Sequence, residues 1–250
     1  MARPLHGFGI LCDRNQGVIS AGGARKYSIW EHSAAVRDLY ARRCRMEAEE
    51  MTCHAQAVEL LTPYLTPGDS LLDAGCGSGY LYHSFRSRGL KINYMGIDSS
   101  PSLIGIGREI LPAYGLECER LQVMRIDDLN GEVDHCVCIN VLSNIDNYHR
   151  PLERLLQISR RSLVLRESLH GQGSYSYVTD WYLDKGVDLK VHVNTYPLGE
   201  VEAFVRSYGF SVAVVADKRV GEGPELVIDH PHYWKFLVCT RENMTHPAPE

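Results

Sequence analysis

From residue 33 onward, apolar and small side chains recur at Val36, Tyr40, Cys44, Ala48, Met51, Ala55 and Val58. Steps of three and four keep one helix face apolar, so the pattern predicts an amphipathic helix over Ser33 to Leu61, or two helices with a break near the middle. Thr62-Pro63 and Thr66-Pro67-Gly68-Asp69 punctuate the chain, after which the period changes. Short apolar runs at Ser70–Ala74, Ile92–Ile97, Leu121–Ile126, His135–Ile139 and Ser162–Leu165 read as strands. Helical stretches fall between and after them at Tyr80–Arg88, Ser102–Tyr114 (closed by Gly115), Asn147–Arg160 and Glu200–Tyr208. Two further strands, Phe210–Val215 and Trp234–Cys239, end the pattern.

This alternation predicts an α/β fold: a Rossmann-like, seven-stranded, mostly parallel sheet with helices on both faces and an antiparallel hairpin at one edge. The divisions expected are an N-terminal arm and helical lid over 1–61, a main domain over 62–243, and a tail over 244–250. Residues 170–198 are too long for an ordinary connection and carry Tyr175, Tyr177, Trp181, Tyr182 and Tyr196. They read as an insert on the substrate side, its aromatics lining an acceptor pocket or forming a small core of their own.

Composition narrows the class. With 250 residues, 44% of them hydrophobic, the chain has enough apolar material for a full core. A formal charge of -5 offers no footprint for a duplex, so nucleic acid is not an expected partner. No apolar run approaches the roughly 20 residues of a membrane helix, and the first residues lack the apolar core of a signal peptide. The eight cysteines include no CxxC pair, and those at Cys76, Cys136 and Cys138 sit in a glycine loop and a strand. They read as buried thiols in a reducing, cytoplasmic setting, and no metal is expected.

The strongest chemical signal is Leu71-Leu72-Asp73-Ala74-Gly75-Cys76-Gly77-Ser78-Gly79-Tyr80, a strand that runs through glycines into a helix. Such loops bring a ligand against bare backbone. A dinucleotide fingerprint needs a glycine where Tyr80 stands, and the acid at Asp73 suits an amine-bearing ligand better than a pyrophosphate. Asp98 closes the second strand about twenty residues on, where an acid can accept hydrogen bonds from both ribose hydroxyls.

These residues resemble the first motif of the class I S-adenosylmethionine-dependent methyltransferases, with the order of elements matching over Leu61 to Thr240. The resemblance implies S-adenosylmethionine as cofactor. Asp73 and the loop of Gly75, Cys76, Gly77 and Gly79 would then face its methionyl part, Asp98 and Ser99 its ribose, and Asp128-Leu129, or alternatively Asp127, its adenine. Asn140, at the end of the fourth strand, joins this set. Ser143-Asn144 stands where similar small-molecule enzymes carry a His pair or Glu-His. The Asn/Asp-Pro-Pro-aromatic motif of amide and exocyclic-amine methyltransferases is absent. Candidate bases for an O–H or N–H acceptor are His170 and His149, with His192 in the insert a third. In the N-terminal segment, Tyr27, Trp30, Tyr40, Arg42, Arg43 and Arg45 could fold over the cofactor or simply pack there. The reading is therefore a small-molecule methyltransferase; a NAD(P)-dependent oxidoreductase and an RNA or protein modifier of the same fold are the alternatives.

Overall fold

The computed structural model describes residues 28–241. The arm over residues 1–27, with Tyr27, and the tail over 244–250 lie outside the described residues.

The first amphipathic stretch is two helices, α1 (Ala34–Cys44) and α2 (Thr52–Leu61). They break where Met46 takes a left-handed φ of 59°. Ser33 caps α1 by accepting from Val36 N–H. The alternating region then gives β1 (Ser70–Ala74), α3 (Leu81–Ser87), β2 (Asn93–Asp98), α4 (Pro101–Ile110) and the short β3 (Leu121–Val123). It continues with β4 (Val133–Ile139), α5 (His149–Ile158) and β5 (Ser159–His170). Gly115, at φ 96°, closes the turn of 3-10 helix that follows α4.

Eight strands form one sheet, seven of them in the order β3-β2-β1-β4-β5-β12-β9, where β9 spans Phe210–Ala216 and β12 spans Trp234–Arg241. The first five run parallel, and β12 lies antiparallel between β5 and β9. The edge hairpin thus enters the sheet through its second strand. Its connection carries a small hairpin of its own, β10 (Glu225–Val227) with β11 (His230–His232). The insert holds β6 (Tyr177–Thr179), paired antiparallel to β7 (Lys190–His192), and β8 (Tyr196–Pro197), which lies alongside the end of β5. Helix α6 (Leu198–Ser207) follows.

Successive side chains of a strand point to opposite faces, so each strand feeds two cores. Leu71 packs with Val58, Leu61, Phe85 and Ile104 from α2, α3 and α4. Leu72 packs on the other face with Leu152, Leu155 and Val205 from α5 and α6. All seven described cysteines are unbonded, and six are buried. Among the described residues no helix is long and apolar enough to cross a membrane.

Strand β5 is three times longer than its apolar run, Ser162 to Leu165, suggests. Arg166, Glu167 and Ser168 extend it while fully buried, because each has a partner. Arg166 Nε donates to Asp217 at 2.6 Å, Glu167 accepts backbone amides of the β4–α5 loop, and Ser168 Oγ bonds Thr195 Oγ1 at 2.6 Å. Strand β3 is shorter than predicted, since an edge strand pairs on one side only and Val123 is the last residue in register with β2.

Candidate active site

Strand order reverses between β1 and β4, the place where open α/β sheets bind ligands at their carboxyl edge. Beyond β1, Gly75, Gly77 and Gly79 take left-handed φ values of 75°, 58° and 79°. The amides of Gly75 and Cys76 both donate to Ile97 O, which ties the loop to β2. A Cβ on Gly75 would lie 2.3 Å from Val141, and one on Gly77 would lie 2.3 Å from the Tyr40 ring. Handedness and close approach both demand glycine at these two positions.

Two acids stand beside the loop. Asp98 accepts from Gly77 N–H at 2.9 Å and from Ser100 N–H at 2.8 Å. Burial nevertheless pushes its carboxyl up to about 6. Asp73 is 4% exposed and accepts from Tyr94 Oη at 2.6 Å. Burial raises it further, to about 7, against the lowering effect of that hydrogen bond, and the charge of Asp98 adds to the rise.

A cavity of about 640 Å³ opens along this edge. Of the residues singled out from the sequence, Asp73, Gly75, Cys76, Gly77, Asp98, Ser99, Asp127 and Asn140 line it. Gly79, Asp128 and Leu129 do not. Gly79 packs under the loop, where a Cβ would meet Leu121, Asp128 is exposed, and Leu129 is a core residue. Asp127 is therefore the acid that reaches the cavity beyond β3, and Arg125 holds it at 2.8 Å. Asn140 has a left-handed φ of 59°, its amide donates to Arg166 O, and its side-chain oxygen accepts from Arg166 Nη1. Glu167 fixes the next three residues: it accepts from the amides of Val141, Leu142 and Ser143 and from Ser143 Oγ.

The N-terminal helices roof the cavity with Trp30, Tyr40, Arg43, Met51 and His54. Arg42 and Arg45 are exposed and lie elsewhere. Arg43 donates to Tyr80 Oη at 3.1 Å and lies 5.8 Å from the Tyr40 ring. Glu31 accepts from the hydroxyls of Ser100 and Ser102, anchoring the segment ahead of α1 over the start of α4. The insert grips the same segment: Asp184 accepts from Ala34 N–H at 2.8 Å, and Ser33 Oγ donates to Tyr182 O. Val227 of β10 and Trp234 of β12 complete the wall. Trp234 Nε1 donates to Glu225, and the Arg166 guanidinium stands 4.4 Å from its ring.

The histidines fall differently from expectation. His170 is exposed at the end of β5, stacked 4.2 Å from the Tyr233 ring and away from the cavity. His149 is exposed at the start of α5, where its Nδ1 bonds Asn147. It lines a second cavity of about 450 Å³, together with Tyr175, Tyr177, His192 and Tyr196 of the insert. Tyr196 is buried there, whereas Tyr175, Tyr177, Trp181 and Tyr182 are exposed. The histidine on the main cavity is His54, to which the α2 pattern gave no attention because its apolar neighbours carry the period. Its adjacency to Tyr80 across the fold has no signal in the chain.

Comparison with known proteins places these features in context. A sequence profile described as a methyltransferase domain matches residues 42–215. The malonyl-[acyl-carrier protein] O-methyltransferase of Serratia marcescens is 27% identical over 143 residues, 57% of this chain and 54% of that protein. The match thus spans about half the length of that relative. Among solved structures, a S-adenosylmethionine-dependent methyltransferase from Clostridium acetobutylicum superposes with a TM-score of 0.57 at 13% identity, covering 82% of this chain and 96% of the other. Magnesium protoporphyrin IX methyltransferase from Synechocystis, solved with bound S-adenosylmethionine, gives 0.53 at 16% identity over 90% and 93%. At these identities the structural likeness is one of fold.

Proposed function

The chain belongs to the class I S-adenosylmethionine-dependent methyltransferase family, and from that membership we propose that it transfers the cofactor's methyl group to an oxygen or nitrogen of a small molecule by in-line displacement. The observation that carries this reading is the single cavity that gathers Asp73, the glycine loop, Asp98, Asp127 and Asn140. Its volume suits a nucleoside with room for an acceptor. The group also fits chemically: a cradle closed to any Cβ at Gly75 and Gly77 lies beside two acids that burial has left poorly solvated.

In this reading Asp98 binds the ribose hydroxyls, Asp127 the adenine amine, and Asp73 with the Gly75–Gly77 amides the methionyl group. Arg43, partly exposed beneath the lid, suits its carboxylate. The bound cofactor supplies an already activated methyl group, so the protein's task is alignment, worth roughly 7–11 kcal/mol at the extreme. Asn140 and Val141, held rigid by Arg166 and Glu167, form the floor on which an acceptor is oriented. Trp30, Val227 and Trp234 supply apolar walls that exclude water.

The test is turnover. The protein is incubated with S-adenosylmethionine and a panel of small hydroxyl and amine compounds, with release of S-adenosylhomocysteine as the readout. Acceptor-dependent release supports the proposal. Binding of NAD(P) in place of the nucleoside, with hydride transfer, would establish the oxidoreductase reading instead. The O-methyltransferase relative makes oxygen acceptors the first to screen.

A further inference from the structure

The second cavity, of about 450 Å³, has no role in the assignment above. Its walls come from two segments far apart in the chain: residues 146–149, which lead into α5, and the insert, which supplies Tyr175, Tyr177, His192 and Tyr196. Asp146 and Asn147 line this cavity and the main one alike. The two chambers therefore share a sill, and one molecule can occupy both. A chamber of this size takes a small organic group.

The floor of this cavity behaves as an apolar surface, because its polar atoms are already paired. Asn194 Nδ2 donates to Ile145 O at 2.9 Å, its Oδ1 accepts from Ser176 N–H at 3.2 Å, and Tyr196 Oη donates to Leu142 O at 2.7 Å. What remains for a guest is rings. Tyr148 and Tyr196 are buried and meet edge to face at 4.7 Å, while Tyr175, 5.8 Å from Tyr196, is 61% exposed at the rim. A strongly hydrated guest, such as a sugar, a carboxylate or a phosphate, would give up its water here without replacement. Charge selects among the weakly hydrated ones. Among the described residues that line the cavity, Asp146 is the one carboxylate and none is Lys or Arg. Its side chain is 93% exposed, which puts it at the mouth, 4.0 Å from His192 Nε2. The chain itself sets a cation against a ring of this rim, with Lys190 Nζ 5.8 Å from the Tyr177 centroid. Aromatic rings with a carboxylate beside them suit quaternary and methylated ammonium groups, which are cationic yet poorly hydrated.

Resting on the methyltransferase reading, we propose that the second cavity is the subsite for an N-methylated ammonium group of the acceptor, whose reacting oxygen or nitrogen reaches past Asp146 and Asn147 into the main cavity. The substrate class is then a cationic amine with a nucleophilic hydroxyl or amine at its other end. The ammonium takes no part in the transfer. It anchors the far end, so that the near end meets the cofactor in one orientation. Tyr175, which lines the second cavity and not the main one, becomes a specificity residue for the acceptor.

The test uses three probes of one shape. Choline carries a trimethylammonium group, neohexyl alcohol has carbon in place of that nitrogen, and tert-butylacetate joins the same carbon group to a carboxylate. Each is titrated, with NMR detection, into the full-length protein saturated with S-adenosylhomocysteine. Choline should bind about tenfold more tightly than neohexyl alcohol, and tert-butylacetate should bind most weakly. Tyr175→Leu, at an exposed position, should remove the preference for choline while changing S-adenosylhomocysteine affinity by less than about twofold. Tyr175→Phe keeps the ring and should keep the preference. Asp146→Asn should weaken choline about threefold and leave neohexyl alcohol unchanged. Equal binding of choline and neohexyl alcohol, tighter binding of tert-butylacetate, no choline binding into the millimolar range, or a preference that survives Tyr175→Leu overturns the proposal and leaves the cofactor assignment standing. Failure of the wild type to bind S-adenosylhomocysteine overturns the reading on which the subsite rests.

Discussion

The Tyr94 hydroxyl donates a 2.6 Å hydrogen bond to the Asp73 carboxylate, and both side chains are buried against the glycine loop. Tyr94 is thus the group that favours the ionised form of an acid whose pKa burial has raised to about 7.

If the carboxylate pairs with the ammonium of the methionyl group, nucleoside affinity falls as pH drops below about 7. Folding stability moves in the opposite sense. An acid whose pKa is raised in the folded state favours folding below its unfolded value, and that contribution is lost as pH climbs through the folded value. For Asp73 and Asp98 the loss runs from the ordinary carboxylate range up to about 7 and about 6. Thermal melts from pH 5 to 8 should therefore show a stabilisation by S-adenosylhomocysteine that grows with pH. Tyr94→Phe should move that rise to higher pH and weaken binding about tenfold at pH 7.

Gly77→Ala places a Cβ 2.3 Å from the Tyr40 ring on a backbone with φ 58°. Strain and overpacking together predict about 1–3 kcal/mol of lost stability. Because Tyr40 is part of the roof, nucleoside affinity falls too. Chemical denaturation and calorimetry on the same sample measure both. A variant with wild-type stability and binding would contradict the proposed cradle.

Glu167 accepts four hydrogen bonds from residues 141–143, and the Gln variant replaces one acceptor oxygen with a donor that faces donors. Glu167→Gln should lose about 2–4 kcal/mol of stability. It should also raise hydrogen exchange in the loop after β4. Acceptor turnover should then fall more than nucleoside affinity if, as proposed, Asn140 and Val141 of this loop floor the acceptor side.

Much of this architecture could be read from the chain. The strand and helix alternation, the glycine loop and the acids at strand ends follow from local pattern, and the sheet forms as they predict. Residues whose burial depends on a distant partner could not be read. Arg166, Glu167 and Ser168 look like the end of a strand until Asp217, the loop amides and Thr195 are brought to them. Asp127 and Asp128 are equivalent in sequence, and only the short 3-10 turn after β3 decides which one faces the cavity. Position along the sheet edge points to His170 and His149, but the first stacks on Tyr233 and the second lines another cavity.

The roof over the cavity depends on Asp184, which accepts from Ala34 N–H at the first turn of α1 and lies 3.5 Å from Arg37. Asp184→Ala removes that capping interaction and should cost about 1 kcal/mol. Hydrogen exchange over residues 34–44 should rise, and nucleoside dissociation should quicken with little change in association. Unchanged exchange over α1 would show that the insert does not hold the roof.

Titration calorimetry of S-adenosylhomocysteine into the wild-type protein and into Asp98→Asn tests the central claim most directly. The carboxylate bridges Gly77 and Ser100 at the cavity wall, and losing a charged partner to both ribose hydroxyls should weaken binding about tenfold to a hundredfold. Saturable one-to-one binding by the wild type with that loss in the variant is the predicted result. No binding by the wild type, or equal affinity in the two proteins, would contradict it.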